Sequence, residues 1–276
     1  MTDEAAHAHR LNAAAWDETS IWYARRADEL IPDLSARGST LHEQEQRLLA
    51  LLPPLESWCD LAVHLQCAAG FDTISLTNLG AHAAIGVDIS PSLIDLATQT
   101  SERVGAPASF QCADVLAMDG LECSADLVYT GKGAVHWMFD LKAWASKIAE
   151  TLKPGGWFLL FDFHPMMWLF RDTDAGLAIN PVSYFAPVIR YTQWGEDHFA
   201  GTAAMVDSDR VKQLRPWPPS AVIEALLGAK LHLALFHEYP DTLSEGWTAY
   251  PHASAAQRAR VATTYAIMAR KPEGAE

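Results

Sequence analysis

The sequence predicts an α/β protein built on a doubly wound, mostly parallel sheet of seven strands, with N-terminal helices and a cap inserted after strand five. Three observations carry this. Short apolar runs alternate with stretches of helical period between residues 61 and 163. The helical stretches are punctuated by caps and breakers such as Ser90-Pro91 and Gly105. An aromatic- and proline-rich stretch then breaks the rhythm from His164 to about Arg215, and the rhythm resumes at Pro219.

Residues 1–56 read as a helical extension, with one helix beginning at Ala13-Ala-Ala-Trp16 and a second over 41–52 that Pro53-Pro54 stops. Residues 57–163 form the core unit. It opens with a buried strand over 61–65 and a helix over 73–79 closed by Gly80. A second strand spans 83–87, and Ser90 and Pro91 then start a helix that Gly105 ends. Strands over 109–112 and 125–130 follow, then a helix capped by Asp140 with Leu141, Trp144, Ile148 and Leu152 on its apolar side. Pro154-Gly155-Gly156 turns the chain into a fifth strand over 157–163. Residues 164–216 are the cap, with strand-like pieces at 182–191 and 198–205. Residues 217–276 complete the sheet through a helix over 219–227 and strands over 231–236 and 261–269, the last running antiparallel.

Acidic residues outnumber basic ones by 34 to 20, a net charge of -14, which disfavours a phosphate backbone as partner and points to a small molecule. The N-terminus lacks a signal peptide's basic and apolar regions, and no stretch has the ~20 apolar residues of a membrane span. A cytoplasmic protein without membrane attachment is expected. Cys59, Cys67, Cys112 and Cys123 show neither C-x-x-C nor zinc-ligand spacing, so reduced thiols and no metal are expected.

Three features converge where the carboxyl ends of successive strands meet. The loop His64-Leu-Gln-Cys-Ala-Ala-Gly-Phe-Asp-Thr73 is small enough at Ala68, Ala69 and Gly70 for a ligand to approach the backbone. About 20 residues on, Asp88 ends the second strand, where a carboxylate can take both hydroxyls of a nucleoside ribose; the same residue also suits the start of the next helix. Asp114 ends the third strand, where it accepts from an adenine amine while the Val115 amide donates to the ring, or else caps a helix. Each follows a successive strand, so all three line one crevice of a Rossmann-like fold.

With Gly86-Val-Asp-Ile-Ser-Pro91, Ala113-Asp-Val115, Asp126-Leu-Val-Tyr-Thr130 and Leu152-Lys-Pro-Gly-Gly156, the chain resembles the class I S-adenosylmethionine-dependent methyltransferases of the type 11 group. More narrowly it is similar to actinobacterial small-molecule enzymes with Phe163-His-Pro165 and His237-Glu-Tyr-Pro240, and faintly to C-methyltransferases of the teleocidin pathway. The resemblance implies S-adenosylmethionine as cofactor, S-adenosylhomocysteine as product, and a cofactor site lined by Gln66, Cys67, Gly70, Asp72, Asp88, Ile89, Asp114, Val115, Thr130 and Gly131. The first motif departs from the family: Gln66 stands at the usual acidic position, and Ala68 and Asp72 replace two glycines. Asp72 either meets the cofactor's ammonium or caps the following helix. A nicotinamide site is disfavoured because Gly-x-Gly-x-x-Gly is absent.

Such a cofactor carries the reactive methyl, so the protein has to align a nucleophile and exclude water. The candidate bases are His136 and His164, each equally readable as a structural loop histidine. Trp137, Met138, Phe139, Met166, Met167, Trp168 and Phe170 suggest a bulky apolar or aromatic acceptor, or simple cap packing. Trp22 and Tyr23 are placed to close over the cofactor from the N-terminal segment, which alternatively packs on the core or joins a homo-oligomer, as the cap also can. C-, O- and N-methylation stay open. So does a non-catalytic cofactor-binding partner, which the degenerate first loop keeps in view.

Overall fold

The computed structural model describes residues 1–185, 188–192, 194, 209–240 and 253–274. Helix α1 (Asp3–Asp17) is capped by the Thr2 hydroxyl, which accepts from the Ala5 amide at 3.3 Å, and Asp3 and Glu4 occupy its positive end. Ala13 to Trp16 therefore close this helix instead of opening it; Thr2-Asp-Glu is the start signal. α2 (Ser20–Ser35) follows, and α3 (Glu43–Leu49) starts at a reciprocal capping box between His42 and Glu45.

The alternating unit runs β1 (Leu61–Leu65), α4 (Phe71–Asn78), β2 (Ala83–Asp88), α5 (Pro91–Val104), β3 (Ala108–Cys112), β4 (Ala125–Gly131), α6 (Leu141–Thr151) and β5 (Leu152–Phe163). The expected punctuation is in place: Ser90 accepts from the Leu93 amide, Gly105 closes α5 at φ 73, and Asp140 accepts from the Ala143 amide. β5 starts five residues earlier than the proline-glycine signal suggests. Gly155 and Gly156 are paired with Lys271 through amide and carbonyl, and a Cβ on Gly156 would meet three backbone oxygens at 3.0–3.1 Å. The segment is thus an irregular strand entry that only small residues permit, with the register shift falling opposite Ala125 to Leu127.

Beyond β5 come α7 (Met166–Leu169), the hairpin β6 (Phe170–Thr173) and β7 (Gly176–Ile179), β8 (Ile189–Tyr191), β9 (Lys212–Leu214), α8 (Pro219–Gly228), β10 (His232–Tyr239), α9 (Ala255–Arg258) and β11 (Thr264–Arg270). The cap differs from expectation. Only β8 falls within the strand expected over 182–191; it pairs with β9, and a hairpin stands where none was expected. The strand expected over 198–205 lies outside the described residues.

The main sheet has the order β10-β11-β5-β4-β1-β2-β3, with β1 to β5 parallel and β11 antiparallel to both its neighbours. Alternation of side chains builds two cores. Val63, Leu65, Val128, Phe158, Leu160 and Ile267 face one side with Trp144 and Ile148 of α6; Ala62, Leu127, Tyr129, Leu159, Phe161 and Ala266 face the other with Leu48 and Leu49 of α3. The N-terminal helices are not an appendage: Ala5 and Ala8 of α1 sit in the first core. The order in which strands are added reverses at β1, with β2 and β3 on one side and β4 and β5 on the other, so the crevice at their carboxyl ends is the natural ligand position.

Candidate functional site

The loop after β1 holds Gln66, Ala68 and Gly70 at φ 57, 45 and 74, an unusual density of left-handed backbone. Gly70 is obligatory, since a Cβ there would lie 2.4 Å from the Phe110 ring. The loop is tied to β2: the Cys67 amide donates to Val87 O at 3.0 Å and the Ala68 amide to Asp88 Oδ2 at 2.8 Å. Asp88 is buried, and its Oδ1 accepts from the Ser90 amide at 3.0 Å. Burial pushes its carboxyl up, while the amides of Ser90, Ala68 and Ile89 pull it back. A buried carboxylate with a lone pair left on each oxygen is an acceptor for hydroxyls.

Past β3, Asp114 Oδ1 accepts from the Leu116 amide at 2.9 Å, and Oδ2 lies 2.7 Å from His9 Nδ1, reaching in from α1. Burial works upward on this carboxyl, but His9 and the Leu116 amide outweigh it and hold it below the usual range. After β4 the chain passes through Gly131, Lys132 at φ 57 and Gly133 at φ 97. Lys132 Nζ reaches Asp72 Oδ1 and Thr40 O, both at 2.8 Å, and stands 3.5 Å from the fully buried Glu45. Asp162 gathers the amides of Gly133, Val135 and Phe163; burial pushes it up to about 6 against those donors.

Asp72, Asp88, Asp114, Lys132 and His9 share one cavity of about 290 Å³, near the roughly 300 Å³ lower bound for small-molecule sites. Of the expected cofactor residues, Gln66, Cys67, Gly70, Asp72, Asp88, Ile89, Asp114, Val115 and Gly131 line it. Thr130 does not: it is fully buried and its hydroxyl donates to Leu65 O at 3.0 Å, supporting the β1 loop from behind. Trp22, Tyr23 and Trp137 line the cavity as expected, and Trp16 joins them, packed edge-to-face on Trp137 with ring centroids 5.3 Å apart. Burial, then the charges of Asp88 and Asp72, drive the Tyr23 phenol upward.

Both candidate bases lie elsewhere. His136 and Trp137 are consecutive on a tight 3-10 turn (Val135–Trp137), where neighbouring side chains diverge. Trp137 takes the cavity, and His136 faces a separate small pocket with Asp162, Phe163, Trp168 and Trp217. His164 stands with Nε2 2.8 Å from Glu238 on β10 and Nδ1 accepting from the Met166 amide. Trp168 packs edge-on to His136 at 5.0 Å, and Met166 packs with Ala253 and Val261. These four therefore do not join the cofactor residues.

His9, Asn12, Thr40, His64 and Lys132 line the cavity without having been singled out in the sequence. Lys132 follows Gly131 directly and had a signal in its Gly-Lys-Gly context; His9 had none. Among the described residues, no helix is long and apolar enough to cross a membrane, and no cluster of three or more His, Cys, Asp and Glu side chains is placed to hold a metal.

Residues 62–156 match a family model described as a methyltransferase domain. No curated protein matches the sequence. Among solved structures, an S-adenosylmethionine-dependent methyltransferase from Mesorhizobium loti aligns with a TM-score of 0.56 at 20% identity, over 82% of this chain and 96% of that one. Geranyl diphosphate C-methyltransferase from Streptomyces coelicolor, solved with Mg2+, geranyl diphosphate and S-adenosyl-L-homocysteine, aligns with 0.55 at 12% identity over 83% and 78%. The [4+2]-cyclase SpnF aligns with 0.56 at 14% identity over 95% of both chains. The fold is that of the class I S-adenosylmethionine-dependent methyltransferases.

Proposed function

From a chain with this methyltransferase fold and a methyltransferase domain over residues 62–156, we propose an enzyme that moves the methyl group of S-adenosylmethionine to a bulky, largely apolar or aromatic small molecule of specialised metabolism. One observation supports this above the others. A single cavity joins buried Asp88, the Asp114-Val115 pair and the left-handed loop at Gly70 to a wall of Trp16, Trp22, Tyr23 and Trp137. The donor and acceptor set fits the cofactor. Asp88 takes the ribose hydroxyls, and Asp114 and the Val115 amide take the adenine edge, with Ile89 against the base. At the far end Lys132 and Asp72 offer opposite charges to the carboxylate and ammonium of the methionine part, so Asp72 acts within a pair.

The bound cofactor supplies an electrophilic methyl on a sulfonium. The residues do the rest. The tryptophan and tyrosine rings exclude water and present π faces that favour a cation. The loop Gly131 to Ala134, pinned by Asp162 and by Gln66 Nε2 donating to Ala134 O at 2.6 Å, fixes the floor on which the acceptor is aligned. His136 and His164 face away from this cavity, which favours an acceptor that needs no strong side-chain base. Carbon methylation of an electron-rich prenylated indole is such a case; O- and N-methylation of another natural product are the alternatives. Likeness to a geranyl diphosphate C-methyltransferase supports the apolar acceptor.

Calorimetry of the full chain with S-adenosylmethionine and S-adenosylhomocysteine tests the cofactor half, with micromolar-scale binding of both expected and no binding of either overturning the proposal. Mass spectrometry of incubations with aromatic and prenylated acceptors tests the second half: a product heavier by one methylene is expected, whereas tight cofactor binding without any transfer favours a non-catalytic partner.

A further inference from the structure

Five Asp, Lys and Arg side chains line the cavity among the described residues, and the cofactor reading uses four: Asp88 and Asp114 at the nucleoside, Lys132 and Asp72 at the methionine end. The fifth is Arg26. It stands on α2 one helical turn after Trp22, and both line the cavity. The helix is docked through a different stripe, Tyr23, Ala27, Leu30 and Leu34, which packs with Phe71, Ile74 and Leu93. Arg26 is therefore not what holds α2 down: its side chain is 48% exposed, and its ion-pair partner Glu29, at 2.7 Å, is 63% exposed. A pair so open to water is worth about 0–1 kcal/mol and exchanges readily. The aliphatic stem of an arginine lies along apolar surface while its head stays at the water, so this residue sets a planar fork of N–H donors at the rim of an aromatic wall. That fork matches a carboxylate or a phosphate. The chain as a whole repels anions, with a net charge of -14, which makes a cation at this mouth a local exception.

We propose that Arg26 is an acceptor-binding residue and that the methyl acceptor is amphipathic: an apolar body against Trp16, Trp22 and Trp137, ending in a carboxylate or phosphate that takes the guanidinium over from Glu29. The inference rests on the methyltransferase reading of the cavity and deepens it by naming the acceptor's head group. It assigns acceptor selectivity to the N-terminal helices, outside the 62–156 domain. Glu29 then acts as a competitor, because it and the acceptor's anion claim the same N–H groups.

The test is calorimetry on the full chain saturated with S-adenosylhomocysteine, using two matched pairs of probes: indole-3-butyrate against indole-3-butyramide, and geranyl phosphate against geraniol. The wild-type chain is expected to prefer the anion in at least one pair by about three- to tenfold at low salt, the scale of a partly exposed charge-assisted bond. Which pair responds separates carboxylate from phosphate. Arg26→Gln is expected to abolish the preference, and Arg26→Lys to keep part of it, since the charge remains without the fork. Glu29→Gln removes the competitor and is expected to tighten the anion about twofold while leaving the neutral probe unchanged. S-adenosylhomocysteine itself should bind Arg26→Gln within about twofold of wild type. Equal binding of anion and neutral probe, no binding of either anion, or a preference that survives Arg26→Gln overturns the proposal. So does a loss of S-adenosylhomocysteine affinity in Arg26→Gln, which assigns the guanidinium to the cofactor's carboxylate. A wild-type chain that does not bind S-adenosylhomocysteine rejects the cofactor reading itself.

Discussion

Asp88 was legible because its position is set by local rules: it ends an apolar run and precedes Ser90-Pro91, so strand end and helix start bracket it. Both its oxygens already accept amides, and substitution removes the two acceptors left for ribose hydroxyls. Asp88→Ala is expected to weaken S-adenosylhomocysteine binding by ~1.5–3 kcal/mol, roughly ten- to hundredfold by calorimetry. Affinity unchanged within twofold contradicts the assignment. Glu45 and His9 were not legible, because their meaning lies in partners 84 and 105 positions away. Glu45 makes the point. Burial pushes its carboxyl up to about 7, with Lys132 opposing and Asp72 adding to the rise. In the unfolded chain it titrates near 4.3. Between these values the folded protein binds more protons than the unfolded one, so this group's contribution to stability falls as pH rises from about 4.3 to 7 and stays low above. Glu45→Gln removes that dependence. Its melting temperature relative to wild type should therefore rise from pH 5 to pH 8, and a pH-independent difference contradicts the account.

At the scale of elements, the alternating core was read within a few residues, since each helix has a start or stop that the sequence states: Ser90, Gly105, Asp140. α2 was not, because Thr19 makes no side-chain cap bond and Pro32 lies inside the helix. The cap failed for a different reason. Its β8 pairs with β9 across some 20 residues, and neither short strand carries a periodicity of its own. What anchors β9 is α1. Asn12 Nδ2 donates to Gln213 O at 2.8 Å and its Oδ1 accepts from the Gln213 amide at 2.9 Å, both buried. Asn12→Ala strands these two backbone groups and should destabilise the chain by ~2–4 kcal/mol in urea denaturation. A change under about 0.5 kcal/mol would show that the helix is held otherwise. Asp17 plays a matching part at the other end of α1, its Oδ1 accepting from Ser90 Oγ and the Ser92 amide at the start of α5.

For the molecule as a whole, the N-terminal helices are the roof of the cavity whose floor is the carboxyl edge of the sheet. Strand order explains why the floor was predictable: three acidic or small motifs at successive strand ends must meet at the switch point. The roof follows from tertiary docking of α1 and α2, which no local pattern announces. The central claim is that this roofed cavity is the cofactor site, and a crystal structure of the chain with S-adenosylhomocysteine tests it most directly. The expected map shows ribose hydroxyls on Asp88, the adenine edge on Asp114 and Val115, and α1 and α2 closed over both. A nucleoside bound elsewhere, or bound with α1 displaced from Asp114, would contradict the account.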